Sequence, residues 1–485
     1  MGVGSQEELV SANTSKEYGA ASNQGDDIGT PLLKVLSTIG VGRAQYIYWA
    51  IISSATFVDF ADMVVIAAIV PILKCEWDLD VIWETLISTC GFFFNTLTGA
   101  VLCKLPDKYG RKMVISVALF CQFLAVAASA VAQNKMQFLV LRSLTGITAG
   151  LTFPTAIVFS TEIVQNSHRE VGPLIIQLVV ASSEFCIAVA AFLILNLMGW
   201  RWFVFLVSCP LLVCFTLLIW VVPESPRFLV VSGHAEKAVK VVRDMASLNR
   251  VQLPDDMSLT VHRNKNLGSI TDAFKPEYRK ETVLMSIMFF CNLLIIFGAV
   301  VFIPLALYSG FCGGSAAPPQ NQCVEVKQNS LLQLAAACLG SLLAALAGYT
   351  LATKIGRSIS MKVFSTGSVI TILFFFKCFS ELTTTTLFFL LKFFQYSHHI
   401  NMFFIIPEFY PTTFRNTALG VINSCGKLGG IFGAGLVYLF YYQSAYLVIW
   451  MFLTAGCVTC VCSWVWNTET EDSAIRDVEE EEFKM

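Results

Sequence analysis

Apolar residues gather along this chain into twelve stretches, each long enough to cross about 30 Å of hydrocarbon as a helix. They fall near 46–73, 83–104, 112–132, 137–161, 169–197, 200–222, 281–310, 327–353, 360–380, 384–407, 413–441 and 444–466. The polar intervals between them are short, except that residues 223–280 form a polar, partly helical insert. That insert divides the stretches into two sets of six. Residues 1–42 are polar, rich in Gly, Ser and Asn, and lack the apolar core of a signal peptide, so they are expected to form a disordered tail. The end of the chain, "DVEEEEFKM", reads as an acidic solvated tail. The expected fold is all-α and membrane-embedded. Its order is tail 1–42, six-helix bundle 43–222, linker 223–280, six-helix bundle 281–466 and tail 467–485.

The two sets of six repeat one another. Gly110-Arg111 in "DKYGRK" is answered by Gly356-Arg357 in "TKIGRS". Glu162 and Arg169 are answered by Glu408 and Arg415. Each second copy lies 246 positions after the first (356 − 110, for example). Two bundles related by a pseudo-two-fold axis follow from such a repeat, and in a strongly apolar chain this is the mark of a secondary transporter.

Composition agrees. Apolar residues make up 55% of the chain and charged residues 14%, with mean hydropathy +0.67, whereas an ordinary soluble domain is about a quarter charged. A net charge of −2 without a basic run gives no reason to expect nucleic acid. No Walker or Rossmann glycine pattern, metal-ligand spacing or nucleophile–base set is visible, so no cofactor, metal or enzymatic role is expected. Most of the 16 cysteines sit in apolar stretches as small hydrophobes. Cys312 and Cys323 flank a loop and could close a disulfide or stay free.

Loop charge sets the expected orientation. One side carries Lys104, Lys108, Arg111, Lys112, Arg169, Lys354, Arg357, Lys362 and Arg415, against Lys74, Lys135, Arg201, Lys327 and Lys377 on the other. Nine against five favours cytoplasmic termini and a cytoplasmic linker.

Six helices, an insert and six more, with "DKYGRK" after the second, resemble the major facilitator superfamily. "PESPRFLVVSGHAEKA", "GWRWF" and "PEFYPTTFRN" resemble its sugar-porter, organic-ion and synaptic-vesicle branches. The short connection "KCEWDLD" is similar to that of synaptic vesicle glycoprotein-related transporters and of niacin transporters. Two positions depart from the family pattern. Cys103 replaces a glycine four residues before Asp107, and Thr353-Lys354-Ile355 leaves the second copy without its acid. Only the first copy can therefore form the full charge network. The resemblance implies that helices 1, 4, 7 and 10 line a cavity and 2, 5, 8 and 11 support it.

Asp107, Gly110, Arg111, Glu162, Arg169, Glu224, Arg227, Gly356, Arg357, Glu408 and Arg415 are the expected cytoplasmic gate. Carboxylates and guanidiniums at helix ends can pair in one state and part in the other. Within the membrane, charges are costly and informative. The candidates for substrate binding or ion coupling are Asp59, Asp62, Arg142, Glu184, Lys392, His398 and Lys427. Asp59 and Asp62 could take a proton, meet a cation or pair internally. His398 and the adjacent His399 point about 100° apart, so at most one faces a cavity. Lys427 lies nineteen positions after Glu408, where the resemblance implies an acid in cation carriers and a base in anion carriers. It could hold a substrate carboxylate or pair with Asp59 or Glu184.

The sequence thus suggests an alternating-access carrier of a small organic ion. An organic anion or zwitterion of the niacin kind comes first, with a proton or counter-ion as coupling partner. An organic cation or polyamine carrier using Asp59, Asp62 and Glu184, or a transport-silent vesicle protein acting as receptor or scaffold, stands as the alternative. A monomer in the lipid bilayer is expected, at the plasma membrane or in an intracellular vesicle.

Overall fold

The computed structural model describes residues 30–102, 104–165, 168–169, 171–254, 258–260, 270–308, 326–377, 379–410 and 415–466. The first span is α2 (Arg43–Ser54) continued by α3 (Phe57–Trp77). Its bend comes from local competition for carbonyls. The hydroxyl of Ser54 donates to Ile51 O at 2.7 Å and that of Thr56 to Ser53 O at 2.8 Å, which is how such residues bend helices. Next come α4 (Val81–Val101), the short α5 (Leu105–Tyr109), α6 (Arg111–Ser129) and α7 (Lys135–Glu162). Asp80 and Asn134 cap α4 and α7 by accepting from Trp83 N and Gln137 N.

The next two spans run on as one 51-residue element, α8 (Val171–Val221), broken only at Gly199, whose φ is 80°. A left-handed residue there redirects the helix without a loop. After the linker helices α9 (Pro226–Val231) and α10 (Ala235–Asn249), the second half supplies α11 (Arg279–Tyr308), α12 (Gln328–Ile355), α13 (Arg357–Phe374), α14 (Glu381–Phe409), α15 (Arg415–Tyr441) and α16 (Ala445–Val465). Seven of these pieces, with α2 and α3 counted as one, are apolar enough by length and composition alone to cross a membrane, and α8 holds two crossings. The spans α4, α13, α14 and α15 are less apolar because they carry Glu84, Asn95, Lys362, Lys392, Asn401 and Lys427. The chain is an all-α membrane protein of twelve transmembrane helices.

The repeat is visible in backbone angles and in packing. Gly110 (φ 100°, ψ 151°) starts α6 and Gly356 (φ 87°, ψ 150°) starts α13. Between the bundles, α4 packs on α15 and α8 on α12. These are the second span with the eleventh and the fifth with the eighth, a pairing that the six-helix shift maps onto itself. A methyl group would be strained at either glycine. At Gly110 it would also crowd the Glu224 carboxylate and lie 3.2 Å from the Phe228 ring, whereas Gly356 has open space around it. Gly110→Ala should therefore lower thermal stability more than Gly356→Ala, by about 1–3 kcal/mol against about 1. Equal unfolding temperatures for the two variants would refute this ranking.

One boundary needs correction. The tail expected to be disordered through residue 42 carries structure from Thr30. Thr30–Pro31 pairs in parallel with Leu259–Thr260 of the linker. Then α1 (Leu32–Ile39) buries Leu32, Val35, Leu36 and Ile39 on one face. The i, i+3, i+4, i+7 spacing of these four is an amphipathic helix signal that the polar composition around it obscures. Asn249, the last residue of α10, accepts a hydrogen bond from Ala44 N at 2.9 Å and donates one to Gln45 Oε1 at 2.8 Å. The linker thereby caps the first span. Residues 1–29 and 467–485, Cys103, and the Cys312/Cys323 pair lie outside the described residues.

Candidate functional site

Charges collect at three levels of the molecule. At the end nearest the linker, Arg111 stands at the start of α6, where the turn through Gly110 aims it back at α5 and α7. Its Nη2 donates to Asp107 Oδ1 at 2.8 Å and to Glu162 Oε1 at 3.0 Å. The Asp107 side chain is 70% exposed, so that leg contributes little. The Glu162 leg is buried and is held from behind by Ser225, whose hydroxyl donates to Glu162 Oε2 at 2.5 Å. Glu224 plays a different part. Its Oε1 accepts from the backbone N–H groups of Arg111, Lys112 and Ser225 at 3.0, 3.1 and 2.9 Å, capping α6 where a helix favours negative charge. Arg227 is exposed beside this cluster and interacts electrostatically with Glu162.

The second half shows another pattern. Arg357 donates to Phe404 O at 3.3 Å and lies over the Phe404 ring. This fits the missing acid before Gly356. Arg169 sits in the connection into α8. Glu408 and Arg415 lie in α14 and at the start of α15, but their side chains are outside the described residues.

Deeper in the membrane, two ion pairs form. Asp62 on α3 pairs with Arg142 on α7, which is wholly buried, donates to Ser129 Oγ at 2.6 Å and lies over the Phe138 ring. Glu184 on α8 pairs with Lys392 on α14 at 2.7 Å, and also accepts from Tyr396 and from Ser341 Oγ at 3.0 Å. Arg142 and Lys392, both candidates for substrate binding or ion coupling, are thus each neutralised by a carboxylate in this conformation. The suggested Lys427–Glu184 bridge is excluded in this conformation for the same reason.

Two charges remain. Asp59 accepts from Gln122 Nε2 at 2.8 Å. Its Oδ2 and Gln122 Oε1 are buried without a donor. Lys427, half-buried on α15, donates to the neutral Asn95 Oδ1 on α4 at 2.8 Å and makes no ion pair among the described residues. Asp59 and Lys427 belong to opposite bundles and attract each other electrostatically. Aromatic rings gather nearby. Phe60, next to Asp59, stacks on Phe297 and meets Phe153 edge-on, and Phe92 meets Phe297 at 4.4 Å. Phe297 also abuts Gly430, one turn beyond Lys427.

His398 is corrected as well. It is buried inside the second bundle, with Nε2 3.1 Å from Ser463 Oγ on α16 and Nδ1 3.5 Å from Asn292 on α11. It is His399 that shares a helix face with Lys392 and Tyr396, packed on Phe289 and Phe403.

At the far end, the turn end, a cluster absent from the sequence reading joins the bundles. Lys74 on α3 pairs with Glu84 on α4 at 3.0 Å. Tyr442, after α15, accepts from Lys74 and donates to Glu84, both at 2.8 Å. Glu84 and Lys74 are isolated charges in sequence, and only a partner from 358 positions away reveals their role.

The sequence pattern of the Major Facilitator Superfamily matches residues 52–376 and 327–485. The chain belongs to this superfamily. The candidate transporter svop-1 of Caenorhabditis elegans is 25% identical over 451 residues, covering 92% of this chain and 86% of that one. The synaptic vesicle 2-related protein of Rattus norvegicus is 25% identical over 456 residues, covering 92% and 82%. The fold is that of the xylose transporter XylE from E. coli in a partially occluded inward-open conformation. The TM-score is 0.65 at 16% identity, over 88% of this chain and 98% of that chain. The superfamily fold expected from the motifs is thus found, the chain is similar to synaptic vesicle 2-related proteins, and the protein is a multi-pass membrane transporter.

Proposed function

We propose that this transporter moves a small organic anion, an aromatic monocarboxylate or zwitterion, by alternating access, with Asp59 as proton site. The carrying observation is that Lys427 faces only an amide while Arg142 and Lys392 each hold a carboxylate. An ammonium left with a neutral partner in a half-buried site is a natural anchor for a substrate carboxylate. The Phe60, Phe92 and Phe297 rings offer faces and edges to an aromatic body. Asp59 suits the proton because one hydrogen on Oδ2 would satisfy the two acceptors that lack donors. The cation-carrier alternative loses support, since Asp62 and Glu184 are already engaged.

A thermal-shift screen of the purified chain tests the reading. Aromatic monocarboxylates should raise the unfolding temperature, approaching about 2.7 kcal/mol of stabilisation at a hundredfold excess over Kd. Stabilisation by amines with none by acids would reverse the assignment.

The turn-end Tyr442 cluster, which joins the two bundles, would hold that end shut, while the Arg111 cluster braces the linker end of the first bundle. With cytoplasmic termini, the linker faces the cytoplasm of a vesicle or plasma membrane. A thiol placed at exposed Lys237 on α10 should then react with membrane-impermeant reagent only in permeabilised cells. Reaction in intact cells would invert the topology.

A further inference from the structure

The Glu184 cluster is asymmetric between the bundles. Its carboxylate comes from the first bundle, but Lys392, Tyr396 and Ser341 all come from the second. Among the described residues, its hydrogen-bond and ion-pair partners all lie in the other bundle. Along α8 its neighbours one turn away are Val180, Ala181, Ile187 and Ala188, all buried and apolar. The seam continues toward the linker end as a dry cluster of Leu174, Leu178, Ala181, Ala345, Ile400 and Phe404.

We propose that Glu184 is a second proton-binding site, closed by Lys392 and Tyr396 in this conformation and loaded with a proton when α8 parts from α12 and α14. The proposal rests on alternating access but not on the identity of the substrate. Parting the seam removes these donors at once and leaves the carboxylate on an apolar helix face without its ammonium, so it takes up a proton more readily than in the closed seam. The groups that face it from the packed elements are Lys392 and Tyr396 on α14, with Ser341 and Cys338 on α12. All of these move with the other bundle. The proton comes from the compartment to which the seam opens. It returns to the water of that compartment as the seam closes and Lys392 comes back to the carboxylate. The cluster thus links bundle separation to protonation of one named carboxylate, apart from Asp59.

The test measures distances across the seam in the full chain in lipid nanodiscs. Spin labels carried on unnatural amino acids at the exposed Leu197 of α8 and Leu382 of α14 report its width. An Asp59→Asn background removes the other proposed proton site, so failure of the Asp59 and Lys427 reading leaves this readout intact. In that background the ratio of parted to closed seam should rise as pH falls from about 8 to about 5, by up to about tenfold per pH unit, the limit for one proton bound in one state only. Adding Glu184→Gln should favour the parted form and abolish the pH response. Glu184→Gln with Lys392→Met also removes the orphaned cation, so it should fold even if the single variant does not, and should be equally insensitive to pH. An unchanged pH response after Glu184→Gln, alone or with Lys392→Met, would overturn the proposal. So would a seam that stays closed at every pH before Glu184 is changed.

Discussion

Lys427→Ala should yield a protein that folds, reaches the membrane and no longer binds carboxylates. Lys427 holds only Asn95, so truncation leaves no bonded carboxylate behind. The neighbourhood is half-open, and water can enter in place of the ammonium. Binding of an aromatic monocarboxylate should weaken by about 2–5 kcal/mol, the usual loss when one member of a desolvated charge pair is removed. Lys427→Arg should keep part of the affinity, because the charge survives while its position shifts. Isothermal titration of the purified variants decides the matter. If Lys427→Ala binds acids as tightly as the parent, the site is elsewhere. If it is instead poorly stable and Asp59→Asn rescues it, Lys427 is a structural partner of Asp59, and the substrate role falls.

The opposite behaviour is expected one helix away. Arg142→Met should be among the most destabilising single changes in the first bundle. The guanidinium is enclosed completely, bonded to Asp62 and Ser129 and laid over Phe138. Removing it strands the Asp62 carboxylate inside the bundle, at a cost of about 3–5 kcal/mol. Asp62→Asn with Arg142→Met should recover most of that loss, since the penalty comes from the unpaired charge more than from the lost pair. Unfolding temperatures of the two singles and the double measure the coupling. Additive losses would mean that the two residues do not act as a pair.

Local backbone rules are obeyed where the sequence repeats itself. Gly110 and Gly356 were recognisable as matched positions from their Gly-Arg motifs, and both adopt the left-handed turn that starts a helix. The Arg111 cluster was nearly as legible, because Asp107, Arg111, Glu162 and Glu224 sit at helix ends, where charge must face water or a neighbour. What misled was composition. The amphipathic helix Leu32–Ile39 adjoins a long polar stretch, and its four apolar positions were absorbed into that background.

Twelve spans, the halving of the chain and the superfamily all follow from hydropathy and motif spacing, because crossing a bilayer demands long apolar helices whatever their arrangement. Which apolar spans carry charges is likewise plain from the sequence. The sequence could not say which charge meets which. Helical periodicity gives the face of a residue relative to its own axis, and not the rotation of that helix against another 200 positions away. That choice belongs to packing. It gave Arg142 to Asp62, Lys392 to Glu184 and Tyr442 to Glu84, and it turned His398 into the core while setting His399 beside the Lys392 face. With Asp62 and Glu184 engaged elsewhere, it left Lys427 beside a neutral amide.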